Sequence, residues 1–243
     1  KRRGNEFVLF VHIADVSYYV KERSAVDKEA LKRGTSVYFP GCVFPMLPRE
    51  LSNGICSLNP QEDRLTLSCV MNIDRRGRIT ASRIVKGVIK TLKRMDYDTV
   101  AAIVEGDEKA RAEHSDVCEM LDAAKELAEI LHDIRLRRGS IDFDIPEPKI
   151  TLDENGVCTD VELYEHKVSH MMIEEFMLAA NETVAETFDG LKVPFVYRVH
   201  EAPPADKQQS FIEYLSTLGI EFKGGDSRDY SDLLEKVKGT PDE

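Results

Sequence analysis

An α+β fold, a mixed β-sheet packed with helices, follows from three features of the sequence, and the chain is expected to be cut at both ends. Strand-like runs dominate residues 7–92, strongly periodic helices dominate 108–218, and no repeat links the two regions. With 243 residues, 42% of them hydrophobic, the chain can bury a sizeable core as one large or two small domains.

The elements follow in order. Residues 1–5 (Lys-Arg-Arg-Gly-Asn) carry turn chemistry and precede a strand-like run from Phe7 to Val20. A turn so near residue 1 reads as the second half of a hairpin, so we expect a truncated chain. The apolar stretch from Val8 to Ala14 reads as a strand buried on both faces. A short helix is expected over 26–34, followed by a long loop from Tyr38 to Pro60 rich in proline and glycine. Strands at 65–73 and 79–91 flank a turn at 74–77. One long helix is expected over 108–138. Its apolar face is Val117, Met120, Leu121, Ala124, Leu127, Ala128, Leu131 and Ile134, with acidic residues at its start and Gly139 at its stop. A hairpin at 150–163, a helix at 166–188, a short strand at 195–199 and a helix at 205–218 complete the pattern. Residues 224–243 are expected to be a loosely packed end.

The net charge of −11 argues against a protein that coats nucleic acid over its whole surface. Locally the sign reverses. Arg75, Arg76, Arg78, Arg83, Lys86, Lys90, Lys93 and Arg94 lie in a 20-residue segment without an acidic residue. Phosphates need such a field, and a solvated strand face explains it equally well. Tyr38, Tyr97 and Phe143 lie in loop or element-end contexts, where rings can stack on bases. Filling the core is the competing role.

On the 166–188 helix, Ile173, Met177, Ala180 and Val184 define the expected core direction. Glu175, Glu182 and Glu186 then point to solvent, while Glu174 and Asn181 project to the border of the apolar face. A carboxylate there needs a partner or a cleft. His166 and His170 are four apart but have no zinc-site pattern beside them. The five cysteines are widely spaced without a CxxC pair, and no apolar run reaches membrane-span length. A cytoplasmic protein away from membranes is expected.

Several blocks, in order, resemble the RNB exoribonuclease family (RNase II and RNase R). They are Val11 to Ser17 (Val-His-Ile-Ala-Asp-Val-Ser), Arg33 to Pro40, Pro45 to Pro60, Arg138 to Asp144 (Arg-Gly-Ser-Ile-Asp-Phe-Asp), Ile173 to Asn181 and Tyr197 to His200. The resemblance implies a partial RNB catalytic domain over 1–243, from a processive 3′→5′ exoribonuclease that hydrolyses single-stranded RNA with Mg²⁺. It also implies that Tyr38 and Phe143 stack on the terminal bases, that Tyr97 lies near the last nucleotides, and that Glu174 contacts ribose. The family's metal-binding aspartates precede the His12 block, and no Asp occurs among the residues before His12 here. No catalytic residue and no metal ligand is therefore assigned. Mg²⁺ is expected in the parent enzyme, and the isolated chain is expected to hold single-stranded RNA 3′ ends without cutting them. The alternatives are a non-catalytic RNA-binding module on the same fold and a scaffold that uses its acidic surface.

Overall fold

The structure is a computed structural model that describes residues 1–141 and 147–240. It divides into two compact units, residues 1–128 with 146–184 and residues 129–145 with 185–243.

The first unit is built on a four-stranded antiparallel sheet, order β1-β2-β5-β6, from β1 (Arg2–Arg3), β2 (Glu6–Ala14), β5 (Asp63–Asp74) and β6 (Ile79–Lys90). Residues expected to be only the turn of a hairpin supply its first strand as well: β1 pairs antiparallel with β2, with Gly4 at φ 60° in the turn. The strand expected to reach Val20 ends at Ala14. There the buried Asp15 caps a short helix, α1 (Val16–Tyr19), its carboxylate accepting from the Tyr18 backbone N–H. β2 is not buried on both faces. Phe7 and Val11 are inside, whereas Phe10 and Ile13 are exposed. β5 is the central strand, and Met71 and Ile73 on it are fully buried.

α2 (Ala25–Arg33) forms where expected, capped by Ser24. The expected 38–60 loop instead contains a hairpin, β3 (Val37–Phe39) and β4 (Cys42–Phe44), then an irregular helical turn at Glu50–Ile55. Gly41, at φ 71°, turns this hairpin, and a Cβ there would meet the Leu152 side chain at 3.0 Å. β7 (Pro148–Leu152) and β8 (Cys158–Leu163) pair as predicted.

A helix that was not expected, α3 (Tyr97–Glu105), precedes two that stand where one was expected, α4 (Glu108–Glu113) and α5 (Ser115–Arg137). Asp96 caps α3 by accepting from the Thr99 backbone N–H at 2.8 Å, and Gly106, at φ 98°, ends it. Asp107 caps α4, and His114 leaves helical geometry without a glycine or proline to announce it. α3 and α5 meet α6 (Val168–Leu191) in a cluster of Ile103, Val104, Val117, Cys118, Leu121, Ala128 and Met172. Met120, expected inside, is exposed.

α6 is rotated from its expected orientation. Ser169, Met172, Glu175, Ala179 and Thr183 point inward with Ala180, while Ile173 is 49% exposed. Glu175, expected in solvent, is buried. Apolarity misassigned the face because polar groups on it are satisfied internally: Ser169 Oγ donates to the Tyr97 carbonyl, and Thr183 Oγ1 to that of Ala179.

In the second unit, α7 (Ala205–Thr217) forms as predicted. Residues 195–199 are not a strand; Phe195 stacks on Phe188 at 4.4 Å. The expected loose end carries α8 (Ser227–Val237), with a capping box between Asp226 and Asp229 and a buried Leu233. Its Tyr230 packs against Phe211 and Phe222, a tertiary contact that the polar local sequence conceals.

Acid sensitivity follows from the caps. The Ser17 hydroxyl chiefly holds Asp15 below its ordinary value of 3.8, the Arg78 backbone N–H does so for Asp74, and the Thr99 backbone N–H for Asp96. Burial lowers His12 from 6.5. In each case the unfolded chain binds protons first, so stability rises with pH across the window between unfolded and folded values. Urea midpoints are expected to decline below about pH 6.5 as His12 titrates, then again below about pH 4. Asp96→Asn should flatten the lower step, and a midpoint that rises on acidification would contradict the sign.

Candidate nucleic-acid interface

The start of α6 meets the start of α3 in a cluster of rings and charges. Tyr97, the first residue of α3, lies flat on the His170 ring, with centroids 4.0 Å apart and planes inclined by 16°. His170 Nδ1 accepts from the Lys167 backbone N–H at 3.1 Å, so the imidazole carries its proton on Nε2, which donates to the Tyr164 hydroxyl at 2.7 Å. Lys167 Nζ reaches Asp98 at 2.7 Å, a second tie between the two helix starts.

Glu174 lies one turn along α6. Its Oε1 accepts from His166 Nε2 at 2.8 Å, and its other oxygen has no partner among the described residues. The side chain is 52% exposed, so Glu174 lies on the open side of α6 and not at the border of a buried face. His166, His170 and Glu174 are spaced by four. His170 and Glu174 lie one turn apart on α6, with His166 just before its start, and this four-residue spacing was the signal available in the sequence.

Tyr97 also borders an open cavity of about 830 Å³ between β2 and helices α3, α5 and α6. Phe7, Phe10, His12, Met95, Ile173 and Phe176 supply much of its apolar wall. His12 Nδ1 bonds Ser68 Oγ at 2.7 Å, which in turn bonds Thr66 Oγ1 at 3.0 Å. In this block His12 and Asp15 therefore secure the sheet and the α1 cap.

Tyr38 is placed differently. It lies on β3, is 75% exposed, and makes no ring contact with Tyr97 among the described residues. Val37, Phe39 and Phe44 on the same hairpin are also exposed, with Phe39 edge-on to Phe44 at 6.1 Å. Phe143 lies outside the described residues.

The basic segment is not one uniform face. Arg75 pairs with Glu126, Arg78 with Asp74, Lys86 with Asp15 at 3.7 Å, and Lys93 with Asp116 at 2.7 Å. Arg76, Arg83, Lys90 and Arg94 have no acidic partner among the described residues. Arg83 and Lys90 differ by an odd number of positions on β6, so they project to opposite sides of the sheet. No group of three or more His, Cys, Asp or Glu side chains among the described residues could hold a metal. The described residues thus do not fit the Mg²⁺ that the sequence resemblance implies. No described helix is long and apolar enough to cross a membrane.

Comparison with known proteins places these features in a family. The RNB domain matches residues 1–243. Ribonuclease R 1 of Lactococcus lactis is 46% identical over 244 residues, covering 99% of this chain and 30% of that protein. Ribonuclease R of Thermotoga maritima is likewise 46% identical, over 245 residues, covering 99% of this chain and 34% of its own length. The chain thus spans about a third of the length of these relatives. Among solved structures, Mycoplasma genitalium RNase R in complex with double-stranded RNA superposes with a TM-score of 0.91 at 34% identity, covering 100% of this chain and 44% of that one. A second structure of that enzyme, with ribose-methylated single-stranded RNA, gives a TM-score of 0.89. With a domain match over the whole of this chain and a shared α+β architecture, the chain belongs to the RNB domain family.

Proposed function

We propose that this chain is the RNA-holding part of the catalytic domain of a Mg²⁺-dependent 3′→5′ exoribonuclease, and that it grips a single-stranded 3′ end without hydrolysing it alone. The observation that carries the reading is the half-exposed Tyr97 ring, backed by His170 and followed along α6 by a carboxylate with one oxygen open. A flat ring stacks on any base, and a free carboxylate oxygen accepts from a ribose 2′-hydroxyl, which DNA lacks. RNA complexes of a relative with a TM-score near 0.9 support this assignment. Tyr38 and Phe143 supply further stacking surfaces, those basic side chains of the 75–94 segment that lack an acidic partner among the described residues and share one side of β6 supply phosphate contacts, and Mg²⁺ binding falls to other parts of the parent enzyme. Five unpaired cysteines fit a reducing cytoplasm.

Binding of oligoadenylate RNA and its DNA counterpart, read by anisotropy, tests the proposal. RNA should bind more tightly, and Glu174→Gln should reduce that preference about tenfold, the worth of a hydrogen bond to a charged group. Equal affinity for RNA and DNA, unaffected by Glu174→Gln, would remove the ribose contact. Release of nucleotides by the chain alone in Mg²⁺ would refute the division of labour.

A further inference from the structure

Several observations converge on the back of the Tyr97 ring. Its carbonyl accepts from the buried Ser169 hydroxyl at 2.8 Å, and its neighbour Asp98 is ion-paired to Lys167. One ring face rests on His170. His170 itself has little freedom, because Nδ1 is engaged by the Lys167 backbone N–H and Nε2 by the Tyr164 hydroxyl. The stack is therefore fixed in position and in plane before any ligand arrives. An exposed tyrosine ordinarily gives up rotamer freedom when it binds, and a ring already held against a fixed imidazole gives up less.

We propose that His170 is the positioning residue for Tyr97: it holds the phenol ring as a preformed platform on which an RNA base stacks. His170 does not touch the RNA and takes part in no bond making. It acts through the ring that it backs, and Tyr164 and the Lys167 backbone hold it in turn. The proposal rests on the reading of Tyr97 as an RNA contact, and its test separates the two ideas.

The 243-residue chain is compared with His170→Ala, Tyr97→Ala and the double variant, using anisotropy of a 5′-labelled oligoadenylate. We expect His170→Ala to weaken binding about 3- to 10-fold, and Tyr97→Ala by at least as much. The double variant should bind within about twofold of Tyr97→Ala alone, since a residue acting through Tyr97 has nothing left to act on. His170→Phe, which keeps a flat ring without the two hydrogen bonds, should recover much of the loss, and His170→Asn should not. Should His170→Ala fail to fold, that Phe-to-Asn comparison carries the same information. Losses that add in the double variant, or wild-type affinity in His170→Ala while Tyr97→Ala is impaired, overturn the proposal.

A second readout needs no RNA. In the fluorotyrosine-labelled chain, the Tyr97 ¹⁹F resonance, assigned by its disappearance in Tyr97→Phe, should shift in His170→Ala as the imidazole ring current is lost. An unmoved resonance overturns the positioning role. A shifted resonance with unchanged RNA affinity in both single variants preserves it, and instead removes Tyr97 from the RNA contact.

Discussion

Ile103→Ala is expected to cost about 2–5 kcal/mol of folding stability, the range for truncating a fully buried isoleucine. Ile103 has no exposed surface and sits where α3, α5 and α6 meet. Removing three carbons there leaves a cavity between helices whose backbones are fastened at other points, among them Ser169 to Tyr97 and Lys167 to Asp98. Collapse is restricted, so the upper part of the range applies. Against a typical total of about 5–15 kcal/mol the loss is large. Thermal melts should fall by roughly 2–4 °C for each kcal/mol in a chain of this size. Leu31→Ala, at a position 82% exposed, is the control and should stay within about 0.5 kcal/mol of the parent. A loss below about 1 kcal/mol at Ile103 would mean that the three helices do not share one core. The effect bears on the proposed function because α3 carries Tyr97 and α6 carries His170 and Glu174.

Tyr38→Ala is expected to do the opposite: almost nothing to stability, and a large loss of RNA affinity. With three quarters of its surface in solvent, the Tyr38 ring contributes little apolar burial. A base stacked on it is worth about 1–3 kcal/mol, roughly 5- to 150-fold in the dissociation constant. Tyr38→Phe should retain most of the affinity, because stacking needs the ring and not the hydroxyl. Titrations of poly(A) at two salt concentrations, with thermal melts alongside, separate stacking from charge. The Tyr38 deficit should persist at the higher salt, where phosphate contacts weaken. An unchanged affinity would remove β3 from the RNA path. It would favour the hairpin's exposed rings, Phe39 and Phe44, as a surface for some other contact.

Together these two positions show how the fold divides its aromatic and apolar residues. Both Ile103 and Tyr38 are large enough to fill a core, and the competing role of filling the core stood open for Tyr38 in the sequence. Burial separates them. The same distinction applies to Glu174 and Glu175, adjacent and chemically identical, of which only the first faces solvent. The four-residue spacing of His166, His170 and Glu174 is a local feature of the sequence. Its meaning is not, because the ring that completes it, Tyr97, lies more than 70 residues away.

By itself the sequence determined the α+β class, the β5–β6 and β7–β8 hairpins, the existence of α6 and α7, and family membership through ordered blocks. These are local patterns: turn residues, period-two and period-3.6 hydrophobicity, caps and strings of neighbours. Tertiary structure alone decided four things. It set the rotation of α6 that buries Glu175, the division of one expected helix into α4 and α5, the pairing of half the basic segment with distant or flanking acids, and the seating of Tyr97 on His170. Each of these depends on which groups satisfy one another across the fold. A polar side chain reads as outward-facing until its buried partner is known, and a basic one reads as free until its carboxylate is found.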